Sequence, residues 1–181
     1  MSTKNNNVST AATALILCLV CSVMVSAVAV GLKPKQQENA RLDLNKNILM
    51  AADMYDPETE SADVIAERFA DFEIRLVNLQ TGQFATEQEI MASGISDVNS
   101  YNVSKAARTP SLSTSLTNDI AKIGGKPNFA KVYLAKDANG QLEQIVLPIH
   151  GAGLWGPIFG LLTLDKDLNT IKGVNFYQHK E

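Results

Sequence analysis

The sequence predicts an α+β protein, with one N-terminal transmembrane helix followed by an antiparallel-sheet domain with flanking helices. Three observations carry this reading. Thr10–Leu32 holds no charged residue and is dominated by Ala, Val and Leu, and at helical rise it is long enough to cross a bilayer core of roughly 30 Å. Past residue 128, two runs in which apolar and polar residues alternate, the period of half-buried strands, are followed by two further short strand-like runs. Asp137-Ala138-Asn139-Gly140 separates the first two runs, and Asn-Gly in that position is a strong hairpin signal.

The elements follow in order. Residues 1–9 are a polar tail and 10–32 the span. A cleaved signal peptide is the rival reading, with Lys4 as its charged start, Ala11–Val25 as its apolar core and Ala27-Val28-Ala29 as a small-x-small cleavage site. Lys33 and Lys35 after the span lean towards a cytoplasmic domain, but long domains translocate largely regardless of local charge, so charge alone leaves the orientation open. Cys18 and Cys21 sit inside the apolar stretch, where hydrocarbon raises a thiol's pKa and leaves it inert, so they serve as small apolar fillers.

Residues 33–52 form an amphipathic connecting helix, with Leu42, Ile48 and Leu49 on one side and Glu38, Arg41 and Lys46 elsewhere. Residues 53–181 form the domain beyond it. Asp56-Pro57 breaks the helix, Ser61 caps a second helix over Ala62–Asp71, and Phe72, Ile74 and Leu76 alternate in a strand that ends at Thr81-Gly82. Residues 85–127 read as loops, including Gly124–Pro127, with one or two short helices. Order returns with Phe129–Ala135, Gln141–Ile149, Ile158–Leu164 and Ile171–Tyr177, an antiparallel meander. The sequence stops at Gln178-His179-Lys180-Glu181, directly after a strand, so the expected sheet keeps an uncovered edge and the domain reads as C-terminally incomplete.

Composition and motifs exclude several classes of function. A net charge of −3 with no basic stripe leaves no footprint for nucleic acid. His150 and His179 are the two histidines, the domain contains no cysteine, and no H-x-x-x-H occurs, so no metal site is expected. No G-x-S-x-G elbow supports a hydrolase, and Asp137–Gly140 lacks the further oxygen ligands of a calcium loop. No catalytic residue is assigned.

One loop draws attention. Ile149–Gly160 reads I-H-G-A-G-L-W-G-P-I-F-G, and Gly151, Gly153 and Gly156 spell G-x-G-x-x-G. The flanks argue against a dinucleotide fingerprint, because Pro157 and a short apolar run follow where a phosphate-binding helix is required. In a strand–loop–strand setting, the glycines let backbone approach a ligand and Trp155 offers it a flat wall. The alternative is that Trp155 plugs a small core between tight turns.

The order of elements, with Leu32–Asn39, Asn47-Ile48-Leu49, the hairpin, Pro148–Pro157 and Gly173–Glu181, closely resembles the C subunit of the bacterial sodium-translocating NADH:quinone oxidoreductase. It is more distantly similar to the G subunit of the Rnf complex. The resemblance implies a single-span inner-membrane protein with an extracytoplasmic domain that carries flavin mononucleotide (FMN) on a threonine. There it would relay electrons between NADH and ubiquinone while other subunits form the sodium path. It implies a flavin pocket that includes Gly153, Leu154 and Trp155, with Glu181 opening the segment against the ring, and makes His179 a strand-end residue. The family's Ser-Gly-Ala-Thr attachment motif does not occur; Ser93-Gly94-Ile95-Ser96 is the nearest string and reads as a polar turn. The competing expectation is a membrane-tethered assembly module without redox activity, docking partners through the amphipathic helix and the sheet edge.

Overall fold

A computed structural model describes residues 4–120, 123 and 125–180. The chain divides into two units, Met1–Asp43 and Leu44–Glu181. Helix α1 runs unbroken over Lys4–Ala51 with Pro34 inside it, so the apolar stretch and the connecting stretch form one helix. Pro34 removes one helical N–H and crowds the carbonyl four residues back. In the first unit the large apolar side chains from Val8 to Leu32 are exposed. The helix reaches a mean hydropathy of 2.7 over its most apolar window, enough by length and composition to cross a membrane.

In the second unit, α1 ends in a Schellman motif. The amide of Asp53 donates to Met50 O and that of Met54 to Leu49 O, which places Asp53 at φ 56°, where glycine is the usual occupant. A short helix α2 follows at Val64–Phe69. It is shorter than the sequence suggests: the Ser61 hydroxyl accepts a long bond from the Asp63 amide, but α-helical geometry begins only at Val64. Arg68 of α2 donates to Met54 O and pairs with Glu60, tying this helix to the end of α1.

The sheet contains β1 (Phe72–Asn78), β4 (Phe129–Lys136), β5 (Leu142–Ala152), β6 (Pro157–Asp165) and β7 (Ile171–Gln178), in the order β1-β4-β5-β6-β7. All pairings are antiparallel. The expected meander is therefore present, with β1 added at its far edge beside β4. Between β1 and β4 the chain forms helices α3 (Glu87–Ala92) and α4 (Val103–Ala106) and a small ribbon, β2 (Ser113–Ser115) with β3 (Gly125–Pro127). The ribbon replaces the loop expected at Gly124–Pro127, since backbone pairing over three residues needs no alternating pattern in the side chains.

One face of the sheet carries the core. Tyr133, Ala135, Val146 and Leu161 pack with Ile48, Leu49, Ala51 and Ala52 of α1 and with Tyr55, Ile65 and Phe72. A second cluster, Leu76, Ala85, Ile95, Tyr101, Ala106 and Phe129, joins α4 and the preceding loop to the sheet. Where α1 crosses β7 the approach is very close: a Cβ on Gly173 would run into Ala51 O. Only glycine admits that contact.

Candidate functional site

Strands β5 and β6 are joined by Gly153–Gly156, a tight hairpin end closed by the Gly153 amide donating to Gly156 O at 2.7 Å. Strand geometry on both sides leaves no helix N-terminus for a pyrophosphate, in agreement with the argument from Pro157. Leu154 and Trp155 are 83% and 73% exposed. Trp155 therefore does not plug a core. A four-residue turn aims its middle side chains away from both strands, and no element among the described residues buries this one.

The hairpin forms one wall of a cleft of about 500 Å³ lined by Gly153, Leu154, Trp155, Arg108, His150 and Phe159. His150 and Phe159 stack across the β5–β6 pair, with ring centroids 5.9 Å apart and 22° between planes. Both also line a second cavity of about 390 Å³, whose other walls include Tyr101, Asn102, Lys131, Tyr133 and Tyr177. Ser104, Ile123, His150 and Phe159 are common to the two, so the two spaces adjoin at these residues. The result is an outer cleft at the glycine-tryptophan hairpin beside an inner one with an aromatic base.

The base is built by strand parity. Lys131 and Tyr133 share the face of β4 that holds Phe129 and Ala135, and Tyr177 comes from the far edge of the sheet. Burial drives the hydroxyl of Tyr133 far above the usual phenol range and raises those of Tyr101 and Tyr177, because desolvation disfavours the phenolate. All three remain neutral hydroxyls at physiological pH. The Tyr101 hydroxyl donates to Phe129 O at 3.1 Å. Lys131 donates to Asn99 O at 2.8 Å; burial lowers its pKa and Asp97 partly offsets this.

The remaining sequence-derived positions fall as follows. Glu181 lies outside the described residues. His179 follows the last residue of β7, Gln178. Ser93-Gly94-Ile95-Ser96 is the C-terminal stop of α3: the Gly94 and Ile95 amides donate to Met91 O and Ile90 O with Gly94 at φ 72°, a second Schellman motif. The Ser93 hydroxyl is spent on Glu89 O.

Comparison with known proteins places this architecture. The C subunit of the Na(+)-translocating NADH-quinone reductase of Pseudomonas aeruginosa is 37% identical over 183 residues, which is 100% of this chain and 67% of that protein. The chain belongs to the family of that C subunit. The Pasteurella multocida C subunit is 38% identical over 169 residues, 92% of this chain. The chain spans 61% of the length of that relative and 60% of the Yersinia pestis one. Among solved structures, NqrC of Shewanella oneidensis matches with a TM-score of 0.65 at 34% identity, covering 78% of this chain and 60% of that one. The C subunit from Parabacteroides distasonis matches at 0.57 and 25% identity, with 83% and 59% covered. No protein-family model matches the chain. The long apolar helix followed by an antiparallel sheet with helices is thus the fold of this C-subunit family, as the resemblance implied.

Proposed function

We propose that this member of the C-subunit family is the FMN-carrying electron-transfer component of a respiratory complex that couples NADH oxidation and ubiquinone reduction to Na+ export. Its apolar helix anchors it in the bacterial inner membrane, its sheet domain lies on the extracytoplasmic side, and the other subunits of the complex are its partners. The observation that carries the reading is the pair of adjoining cavities, one at the Gly153–Gly156 hairpin and one lined by Tyr133 and Tyr177.

The residues present suit the group. Ligand sites of this kind occupy about 300–1,000 Å³ and combine apolar walls with a few placed polar groups, and both cavities fall within that range. Stacked His150 and Phe159 offer a flat floor. Asn102, Ser104 and the neutral hydroxyls of Tyr133 and Tyr177 supply hydrogen bonds for a polar ring edge, and Arg108 at the mouth meets a phosphate with a permanent positive charge. Gly153 and Gly156 keep the rim low, and Trp155 covers the solvent side. Bound there, flavin would pass electrons singly between a two-electron donor and the quinone-reducing end of the complex. Stacking and hydrogen bonding by the side chains of the cleft would contribute to holding it.

The test is flavin retention. Purified full chain equilibrated with FMN and passed through a desalting column should keep about one flavin per chain. A colourless protein after that step would remove the electron-transfer role and leave a docking module without redox activity.

A further inference from the structure

Both cavities of the site are lined by cations and, among the described residues, by no carboxylate, in a chain whose net charge is −3. Arg108 lines the outer one, and Lys126 and Lys131 line the inner one of about 390 Å³. Arg108 and Lys126 are exposed, so solvent and salt screen their charge. Lys131 differs. It is 8% exposed, stands on β4 between buried Phe129 and Tyr133, and faces buried Leu76 across the β1–β4 pair. A lysine is seldom buried this far without a charged partner.

Its compensation is incomplete. Lys131 Nζ donates to Asn99 O at 2.8 Å, and a carbonyl brings no net charge. Among the described residues no ion pair reaches it. Asp97 is the carboxylate that favours its charged form, but Asp97 is exposed and its two oxygens accept from the amides of Asn99 and Ser100. Burial accordingly lowers the pKa of Lys131, since desolvation penalises the ammonium. A ligand that carries negative charge into the same cavity relieves that penalty, and a low dielectric strengthens the pairing. Tyr133, Tyr177, His150 and Phe159 line the cavity with Lys131, so the ligand it suits is aromatic and negative along one edge.

We propose that Lys131 is the buried charge by which the inner cavity holds reduced flavin more tightly than oxidised flavin. The inference rests on the proposed flavin site and adds to it a residue and a sign. A flavin that takes up two electrons and one proton gains one negative charge, carried on its pyrimidine edge; the electrons come from the NADH-oxidising side of the complex. The Lys131 ammonium meets that charge from a set position, because Asn99 O already orients it. Tighter binding of the reduced form raises the midpoint potential of the flavin, by about 30 mV for each tenfold in affinity of a two-electron couple.

Equilibrium dialysis of the full 181-residue chain in detergent against oxidised FMN, and anaerobically against FMN reduced with dithionite, gives the two dissociation constants. The reduced form is expected to bind at least tenfold more tightly. Lys131→Met should shrink the ratio of the two constants about tenfold, whereas Lys131→Arg, which keeps the charge, should hold it within about twofold. Asp97→Asn should enlarge the ratio, because it removes the carboxylate that competes with the ligand for Lys131. A Lys131→Met chain that binds both forms more weakly at an unchanged ratio makes Lys131 a strut for the Asn99 loop and overturns the proposal, while the flavin site stands. If Lys131→Met loses the circular dichroism of the folded chain, Asp97→Asn decides, and a ratio that does not rise overturns the proposal. Saturable binding of neither form by the unsubstituted chain removes the flavin site, and this inference with it.

Discussion

Asn175 of β7 donates its side-chain amide to both the backbone carbonyl and the side-chain carbonyl of Asn47 in α1, at 3.2 and 3.0 Å. These residues, 128 apart in sequence, fix the last strand beneath the helix that leads into the domain. Tyr177, two residues on, depends on that placement to reach the base of the cleft.

Replacing Asn175 with Ala is therefore expected to cost about 1–2 kcal/mol, the usual net value for a pair of partly buried hydrogen bonds. Urea unfolding followed by near-ultraviolet circular dichroism measures it. It should also lower flavin retention, whereas an equally destabilising change in α2 should not.

The same crossing supplies a steric prediction. Gly173→Ala drives a methyl into Ala51 O, while Gly151→Ala meets nothing within 4 Å. The first should destabilise by about 1–3 kcal/mol, as overpacking does, and the second by much less. Equal effects on the unfolding midpoint would refute the close approach of α1 to β7.

Helix stops offer a stabilising change. Asp53 occupies a left-handed position at φ 56°, a conformation that costs a residue with a Cβ roughly 1–2 kcal/mol relative to glycine. Asp53→Gly should raise stability by up to about 1 kcal/mol, with glycine's greater freedom in the unfolded chain taking back part of the gain. The thermal midpoint of the domain transition reads the result.

Of the carboxylates held below their usual range, the one in the β6–β7 turn offers a test of acid sensitivity. Thr170 and the amides of Thr170 and Asn169 hold the Asp167 carboxyl down to about 2. A carboxylate depressed in the fold stabilises fully above its unfolded value of about 3.9, and loses that contribution as pH falls through the folded value. Asp167→Asn should therefore flatten the decline in stability between about pH 4 and pH 2, which acid titration by circular dichroism would reveal.

Much of the fold is legible in the sequence because its strands bury one face more deeply than the other. Val132 and Leu134, and the Asn139-Gly140 turn, set the β4–β5 hairpin from local pattern alone. The β2–β3 ribbon is not legible, because Ser113–Ser115 and Gly125–Pro127 meet through backbone bonds and share no side-chain signal. The site is half legible. The Gly153–Gly156 hairpin stands out by its glycines, but Tyr133 and Tyr177 converge only through sheet order, and Tyr101 joins them from the segment before α4. Lys131 carries a usable sign: a lysine at core parity in an apolar strand is seldom fully buried unless paired, and here it donates to Asn99 O.

Trp155 is the single tryptophan of the chain and stands 73% exposed at the mouth of the cleft. Trp155→Ala should change stability by no more than about 0.5 kcal/mol, as surface substitutions do, yet weaken FMN binding about tenfold by removing one aromatic wall.

The most direct measurement follows from that position: titration of the full chain with FMN while Trp155 emission is recorded. Saturable quenching at one flavin per chain, weaker with riboflavin because Arg108 then lacks its phosphate, is the expected result. Emission that falls only in proportion to added flavin, without saturation and equally for riboflavin, would contradict a flavin site at this cleft.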